Sequence, residues 1–146
     1  MSTITVVAAV APLVWLGWLV LTDWVPMFPL NDLESSSPRD RARRALGTYP
    51  VALLIVAGVL IDQTWSLVVA VVLAAALVLG HLAYWWLPYF GVGAEPQVEI
   101  YRREFSRTVK AVPAEGHLVV VDVQHAVAGL LTVVTLATAL IALLQR

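Results

Sequence analysis

The sequence has no cysteine and few charged residues, and both absences restrict what the protein can be. A chain without cysteine forms no disulfide and offers no thiolate ligand for zinc, for an iron–sulfur cluster or for covalently attached haem. Charged residues make up 13% of its 146 residues, compared with about 25% in soluble domains. The formal net charge is −1 and no long basic run is present, so we expect no nucleic-acid partner.

Apolar residues take the place of the missing charges. They make up 60% of the chain, compared with about 45–50% in soluble domains, which indicates that the lipid bilayer is its solvent. At about 1.5 Å per residue, each apolar run can cross most or all of a hydrocarbon core about 30 Å thick. We therefore predict an all-α membrane protein, a four-transmembrane-helix bundle formed by residues 1–146 as one domain, with spans at residues 4–24, 44–61, 65–86 and 118–144.

The two long loops, residues 25–43 and 87–117, predict the orientation and the membrane. Eight of the nine Lys and Arg residues lie in these loops or at their borders, and the short turn after Ile61 has none. The positive-inside rule then places both loops in the cytoplasm and both termini outside. Because Lys110 is the only lysine and Ala and Val are abundant, we expect a bacterial plasma (inner) membrane.

The second long loop contains an amphipathic pattern. Val98, Tyr101, Phe105, Thr108 and Val112 fall on one helical face, and basic residues fall elsewhere around the helix. This pattern predicts a short cytoplasmic amphipathic helix. Two positions are open for it: on the membrane surface with its basic groups toward anionic headgroups, or packed beneath the bundle.

Two sets of small or weakly polar residues predict contacts between helices. The sets are Ala70, Ala74, Ala76 and Gly80 on the third span, and Thr132, Thr135 and Thr138 on the fourth. The sequence contains no recognisable nucleophile–base arrangement and no phosphate-binding glycine loop. We therefore expect a non-enzymatic accessory or assembly protein, whose faces engage a second copy in a homo-oligomer or another subunit of a larger membrane complex.

His81, Asp122 and His125 are the polar residues at membrane depth that suggest a site. Three interpretations are open: a metal ion held by all three, a haem between His81 and His125, and a proton or ion relay in which Asp122 holds His125. The relay would serve a small oligomeric ion, proton or small-solute transporter or channel. A structural interpretation also stands, in which Asp122 and His125 lie at a polar helix entrance and His81 packs inside the bundle. No motif identifies a particular cofactor.

The aromatic stretch that ends the third span carries a family resemblance. It reads Trp85-Trp86-Leu87-Pro88-Tyr89-Phe90-Gly91, and a basic, aromatic loop and a histidine at the head of the last span follow it. From about residue 81 to about residue 135, less than half of the chain, the sequence resembles a group of small, uncharacterised bacterial four-helix membrane proteins. The resemblance implies the four-helix topology and brings no activity with it.

Overall fold

The computed structural model describes residues 2–93 and 95–146, and its regular structure is entirely helical within those ranges. Four long helices, α1, α2, α3 and α5, are each long and apolar enough to cross a membrane. A shorter helix, α4, lies between the last two. The helices are α1 (Thr3–Trp24), α2 (Pro38–Ile61), α3 (Thr64–Tyr89), α4 (Glu95–Glu104) and α5 (Val123–Leu144). The predicted all-α class and the four apolar helices are confirmed.

The four long helices form a ring in the order α1, α2, α3, α5. A tight turn at Asp62 joins α2 to α3, and Arg146 pairs with Asp62 at 3.1 Å, so the C-terminus lies at the same end of the bundle. We call this the hairpin end and the opposite end, where both long loops lie, the loop end. The hairpin half has a dry core, which contains Ala8, Ile55, Val59, Leu67, Ala70, Ala74 and Ala142.

The surface of the bundle is apolar and its interior is built largely from small and weakly polar residues. Val72, Leu79 and Leu130 are at least 60% exposed, whereas Ala70 and Thr135 are completely buried. In water such a surface would be costly, but in lipid it is solvated. The four apolar helices and this surface together suggest a multi-pass membrane protein.

The start of the second helix agrees with its sequence and that of the last does not. Ser37 caps α2 by accepting a hydrogen bond from the Asp40 amide, so this helix starts at Pro38, as Ser37 followed by proline and Asp40 predicts, and continues into the predicted second span. The predicted start of the last span at residue 118 is five residues too early, because α5 begins at Val123. Asp122 is its N-cap, and residues 118–121 run as irregular chain before it.

The amphipathic helix is shorter than its pattern predicts. Helix α4 ends at Glu104, and the chain continues to Asp122 through turns. Tertiary hydrogen bonds hold the segment that follows the helix: the Thr108 hydroxyl donates to Asp122 at 2.7 Å, and the Val109 amide donates to the Pro29 carbonyl at 2.9 Å. Thr108, which the pattern places on the same helical face as Tyr101, is nevertheless buried like Tyr101. A turn, rather than the predicted helix, brings it to this buried position.

The two long loops are bonded to each other and to the bundle. Asn31 is almost fully buried; its side-chain oxygen accepts from the Met27 amide, and its side-chain nitrogen donates to two carbonyls at 2.8 Å. Arg107 from the second loop donates two hydrogen bonds to Asp32 of the first, at 2.7 and 2.9 Å. The loops therefore form one layer beneath the four long helices.

Helix α3 contains a π-helical turn at Leu82–Trp86, in which the Leu87 amide donates to the Leu82 carbonyl. Pro88 explains the wider turn, because a proline ring in a regular α-helix clashes with the carbonyl four residues earlier and has no amide hydrogen to donate. Within this turn Trp85 points inward and is buried.

Candidate functional site

A cavity of about 560 Å³ lies at the loop end of the bundle. All four long helices contribute to its wall, and α4 contributes from the loop layer. An indole hydrogen bond from Trp18 to the Gln124 carbonyl, 3.0 Å long, fixes α1 against the start of α5 beside it. The wall combines aromatic and ionisable side chains, among them Asp23, Arg44, Tyr84, Trp85, Glu104 and His125.

Asp122 and His125 form a hydrogen-bonded pair at the edge of this cavity. The carboxylate of Asp122 is completely buried, and its Oδ1 accepts from the His125 amide at 2.9 Å and bonds the His125 Nδ1 at 2.6 Å. Its Oδ2 accepts the hydroxyl of Thr108. Asp122 thus caps α5 and orients the imidazole three residues later with the same oxygen.

These contacts fix the tautomer of His125. Burial raises the pKa of Asp122, but the nearby His125 charge and the donated hydrogen bonds outweigh it, so that pKa lies below its ordinary value. An ionised carboxylate only accepts hydrogen bonds, so Nδ1 must be the donor. Neutral His125 therefore has its lone pair on Nε2, and no hydrogen bond to Nε2 is formed by residues 2–93 and 95–146.

Aromatic rings hold the imidazole of His125 in place. Trp85 stacks on it with ring centroids 3.7 Å apart, and Phe105 meets it edge-on at 4.8 Å. Trp85 comes from the π turn of α3 and Phe105 from the turn after α4. Three separate segments therefore position this one side chain.

Asp23 differs from the other carboxylates of the cavity wall. Glu104 pairs with Arg44 at 2.8 Å and with Arg103 at 2.6 Å. Asp23 accepts a hydrogen bond from the Tyr49 hydroxyl at 2.9 Å, and it belongs to none of the ion pairs found in the described part of the chain. An ionisable residue inside a helix that is long and apolar enough to cross a membrane is a functional candidate by default.

His81 lies apart from this arrangement. Its ring is seated against Gly129 of α5, and a Cβ atom added at that glycine would lie 2.7 Å from the imidazole Cδ2. Its Nε2 is buried and has no hydrogen-bond partner among the described residues. The side chain lines a second cavity of about 260 Å³, together with Trp86 and Ala126.

The predicted site residues are thus brought together only in part. Asp122 and His125 are in direct contact through Nδ1 of the imidazole, whereas His81 faces Gly129. Over residues 2–93 and 95–146, no group of three His, Cys, Asp or Glu side chains is placed to hold one ion. The metal site of His81, Asp122 and His125, and the haem between the two histidines, stay predictions.

The faces expected to engage a partner are covered in part within one copy, since Ala76 and Gly80 stay exposed. Ala70, Ala74 and Thr135 are completely buried and Thr132 is almost so, and both threonine hydroxyls donate to carbonyls of their own helix. Gly80 faces open space. Homo-oligomer formation and membership of a larger membrane complex also stay predictions.

Sequence reasoning missed Asp23 and Glu104. Asp23 carried a usable signal, because it is an ionisable residue inside the predicted first span. Glu104 carried none, since nothing local distinguishes it from the other acidic residues of the second loop.

Comparisons of the chain with protein families, with curated proteins and with solved structures find no match. The fold alone therefore sets its class: an all-helical protein with four helices long and apolar enough to cross a membrane. The polar groups of the larger cavity carry what can be inferred about its function.

Proposed function

We propose that this chain is a non-enzymatic, multi-pass protein of a bacterial plasma membrane that binds a small amphipathic molecule in the cavity at its loop end. The cavity itself supports the proposal most directly. Its volume of about 560 Å³ falls within the range of about 300–1,000 Å³ that is typical of small-molecule sites. Its wall offers aromatic rings for an apolar part and Asp23 and His125 for a polar part.

The proposal also assigns the cavity to one side of the membrane. Eight of the nine basic residues lie in the loop layer or at the loop end of α2, and this bias favours a cytoplasmic location for that end. Both termini would then lie outside. A ligand would reach the cavity from the cytoplasmic boundary of the bilayer.

Binding is favoured over conduction because the two halves of the bundle differ. The hairpin half is filled by buried apolar residues such as Ile55 and Leu67, so the cavity has no wet continuation along the axis of one copy. The transporter or channel alternative therefore needs a rearrangement or further copies. Of the faces on which the accessory interpretation depends, Ala70, Ala74, Thr132 and Thr135 are used inside the chain, whereas Ala76 and Gly80 remain exposed for a partner.

Native mass spectrometry of the protein, extracted gently from its own membrane, tests the proposal. The wild-type chain should retain a small molecule, and Ala128→Leu should reduce its retention because Ala128 lines the cavity. Ala137→Leu is the matched control, since that alanine is on the outer face of the same helix. Equal retention by both variants, or a wild-type chain without any small molecule, would contradict the proposal. A stable assembly with unlike subunits in the same spectrum would favour the accessory role.

A further inference from the structure

We propose that the polar part of the ligand is an ammonium group, bound by the carboxylate of Asp23 and by Nε2 of His125. This inference rests on the proposed binding function and names the chemistry of its ligand. Both groups line the same cavity, Asp23 from α1 and His125 from α5. Each is an acceptor with capacity left over from its protein contacts.

His125 offers an acceptor because of how Asp122 holds it. The bond from Nδ1 to Asp122 places the proton of the neutral ring on Nδ1, so Nε2 presents a lone pair. Trp85 and Phe105 prevent the ring from turning to exchange its two nitrogens. When the ring carries only this one proton, a ligand atom that meets Nε2 has to donate a hydrogen bond, which an ammonium group does and a carboxylate does not.

The charges of the wall also favour a cation at this position. The guanidinium groups of Arg44 and Arg103 are already bonded to Glu104, and Arg43 lies 3.9 Å from Asp40. An anionic ligand would have to break these pairs and would face Asp23. An ammonium group breaks none of them, and it gives Asp23 a directly bonded cation, which none of the ion pairs of the described residues does.

The rest of the ligand is apolar. Beside the charged groups, Leu19, Tyr84, Trp85 and Ala128 line the cavity, and these residues lie on the long helices in the loop half of the bundle. A cavity that buries apolar groups beside the negative charge of Asp23 favours a ligand with an apolar chain and one cationic end. An aminated alkyl chain has this form.

Three amphiphiles with the same twelve-carbon chain test the inference at neutral pH: dodecylammonium, dodecyltrimethylammonium and dodecanoate. Binding is measured by native mass spectrometry, as the displacement of the retained molecule by each amphiphile. Dodecylammonium should bind tightest. Dodecyltrimethylammonium should bind more weakly because it has no N–H group for Nε2, and dodecanoate should bind weakest.

Two pairs of variants assign the effect to residues. Asp23→Asn should weaken dodecylammonium binding about 10–100-fold, the effect of one charged hydrogen bond, and His125→Gln should weaken it about 2–10-fold. Asp40→Asn is the control for the first, because Asp40 lines the same cavity but is paired with Arg43. His117→Gln is the control for the second, because His117 stacks on Tyr89 away from the cavity. If Asp23→Asn does not elute as a folded species, Asp23→Glu keeps the carboxylate and should keep the order of the three amphiphiles.

The outcomes separate this inference from the proposed function. Dodecanoate binding as tightly as dodecylammonium, or equal losses in Asp23→Asn and Asp40→Asn, would overturn the ammonium site and leave the cavity as a binding site. Failure of all three amphiphiles to bind, together with equal retention in Ala128→Leu and Ala137→Leu, would overturn both.

Discussion

Gly129→Ala tests whether the imidazole of His81 is seated against α5 as the structure shows. A Cβ atom at position 129 would lie 2.7 Å from the His81 Cδ2 and 3.0 Å from its Cε1, whereas ordinary contacts begin at 3.4 Å. The ring must therefore retreat into the space between α3 and α5. Gly80→Ala on α3 is the control, because a Cβ atom there would meet nothing within 4 Å.

The magnitude follows from two opposing effects. Forcing extra volume into a packed contact costs about 1–3 kcal/mol, and replacing glycine by alanine inside a helix returns about 1 kcal/mol. Gly129→Ala should therefore lower the free energy of unfolding by about 0–2 kcal/mol. Gly80→Ala should leave it unchanged or raise it by up to about 1 kcal/mol.

A double-mutant cycle isolates the contact from these background effects. His81→Ala removes the ring, so adding Gly129→Ala to that variant should no longer cost anything for the clash. The two substitutions should then be non-additive by about 1–3 kcal/mol in unfolding titrations in mixed micelles of dodecyl maltoside and sodium dodecyl sulfate. Strict additivity would show that His81 does not lie on Gly129, and the described arrangement of α3 and α5 would be wrong.

Three further predictions concern other parts of the bundle. Gly58→Ala should lower the unfolding free energy by about 1–2 kcal/mol in the same titration. The reason is that its Cβ atom would lie 2.8 Å from the backbone carbonyl oxygen of Ser66, which cannot move aside. An unchanged free energy would contradict the close approach of α2 and α3. Asn31→Ala should cost about 2–4 kcal/mol for its three lost hydrogen bonds and should speed proteolysis of the first loop, and unchanged proteolysis would refute its role there. Since the folded-state pKa of Asp122 lies below its ordinary value of 3.8, its ionisation contributes stability that is complete above that pH and is lost as the pH falls through the lower folded-state value. The difference in melting temperature between wild type and Asp122→Asn should accordingly shrink as the pH falls below about 4, and a constant difference down to pH 2 would contradict the assigned shift.

The long helices could be predicted because lipid imposes a simple requirement on the sequence. Every apolar run has to satisfy its own backbone, so each becomes a helix of about the predicted length. The loop layer could not be predicted in the same way. Its bonds join residues far apart in the chain, as Arg44 and Glu104 do, and periodicity within one segment carries no information about such partners.

In the candidate site, too, local contacts could be predicted from the sequence and contacts between distant residues could not. Asp122 and His125 are three residues apart, and a local hydrogen-bond geometry, the helix cap, brings them together even though the helix starts later than predicted. The position of His81 depends instead on a glycine of another helix, which no spacing in the sequence relates to it. Asp23 could have been singled out as an ionisable residue inside the predicted first span, but only the ion pairs around it show that it has no bonded cation.

The π turn of α3 and Pro88 depend on each other, because the wide turn makes room for the proline ring and the proline is the reason for the wide turn. A chain shorter by one residue within Leu82–Trp86 would regain regular α-helical bonding, and its proline ring would then meet a carbonyl one turn earlier. Conversely, an alanine at position 88 would supply the missing amide hydrogen and remove the reason for the wide turn, and Trp85 would rotate away from His125. Over evolutionary time, helix length at this point and the presence of the proline are therefore expected to change together, and the aromatic wall of the cavity is expected to be gained or lost with them.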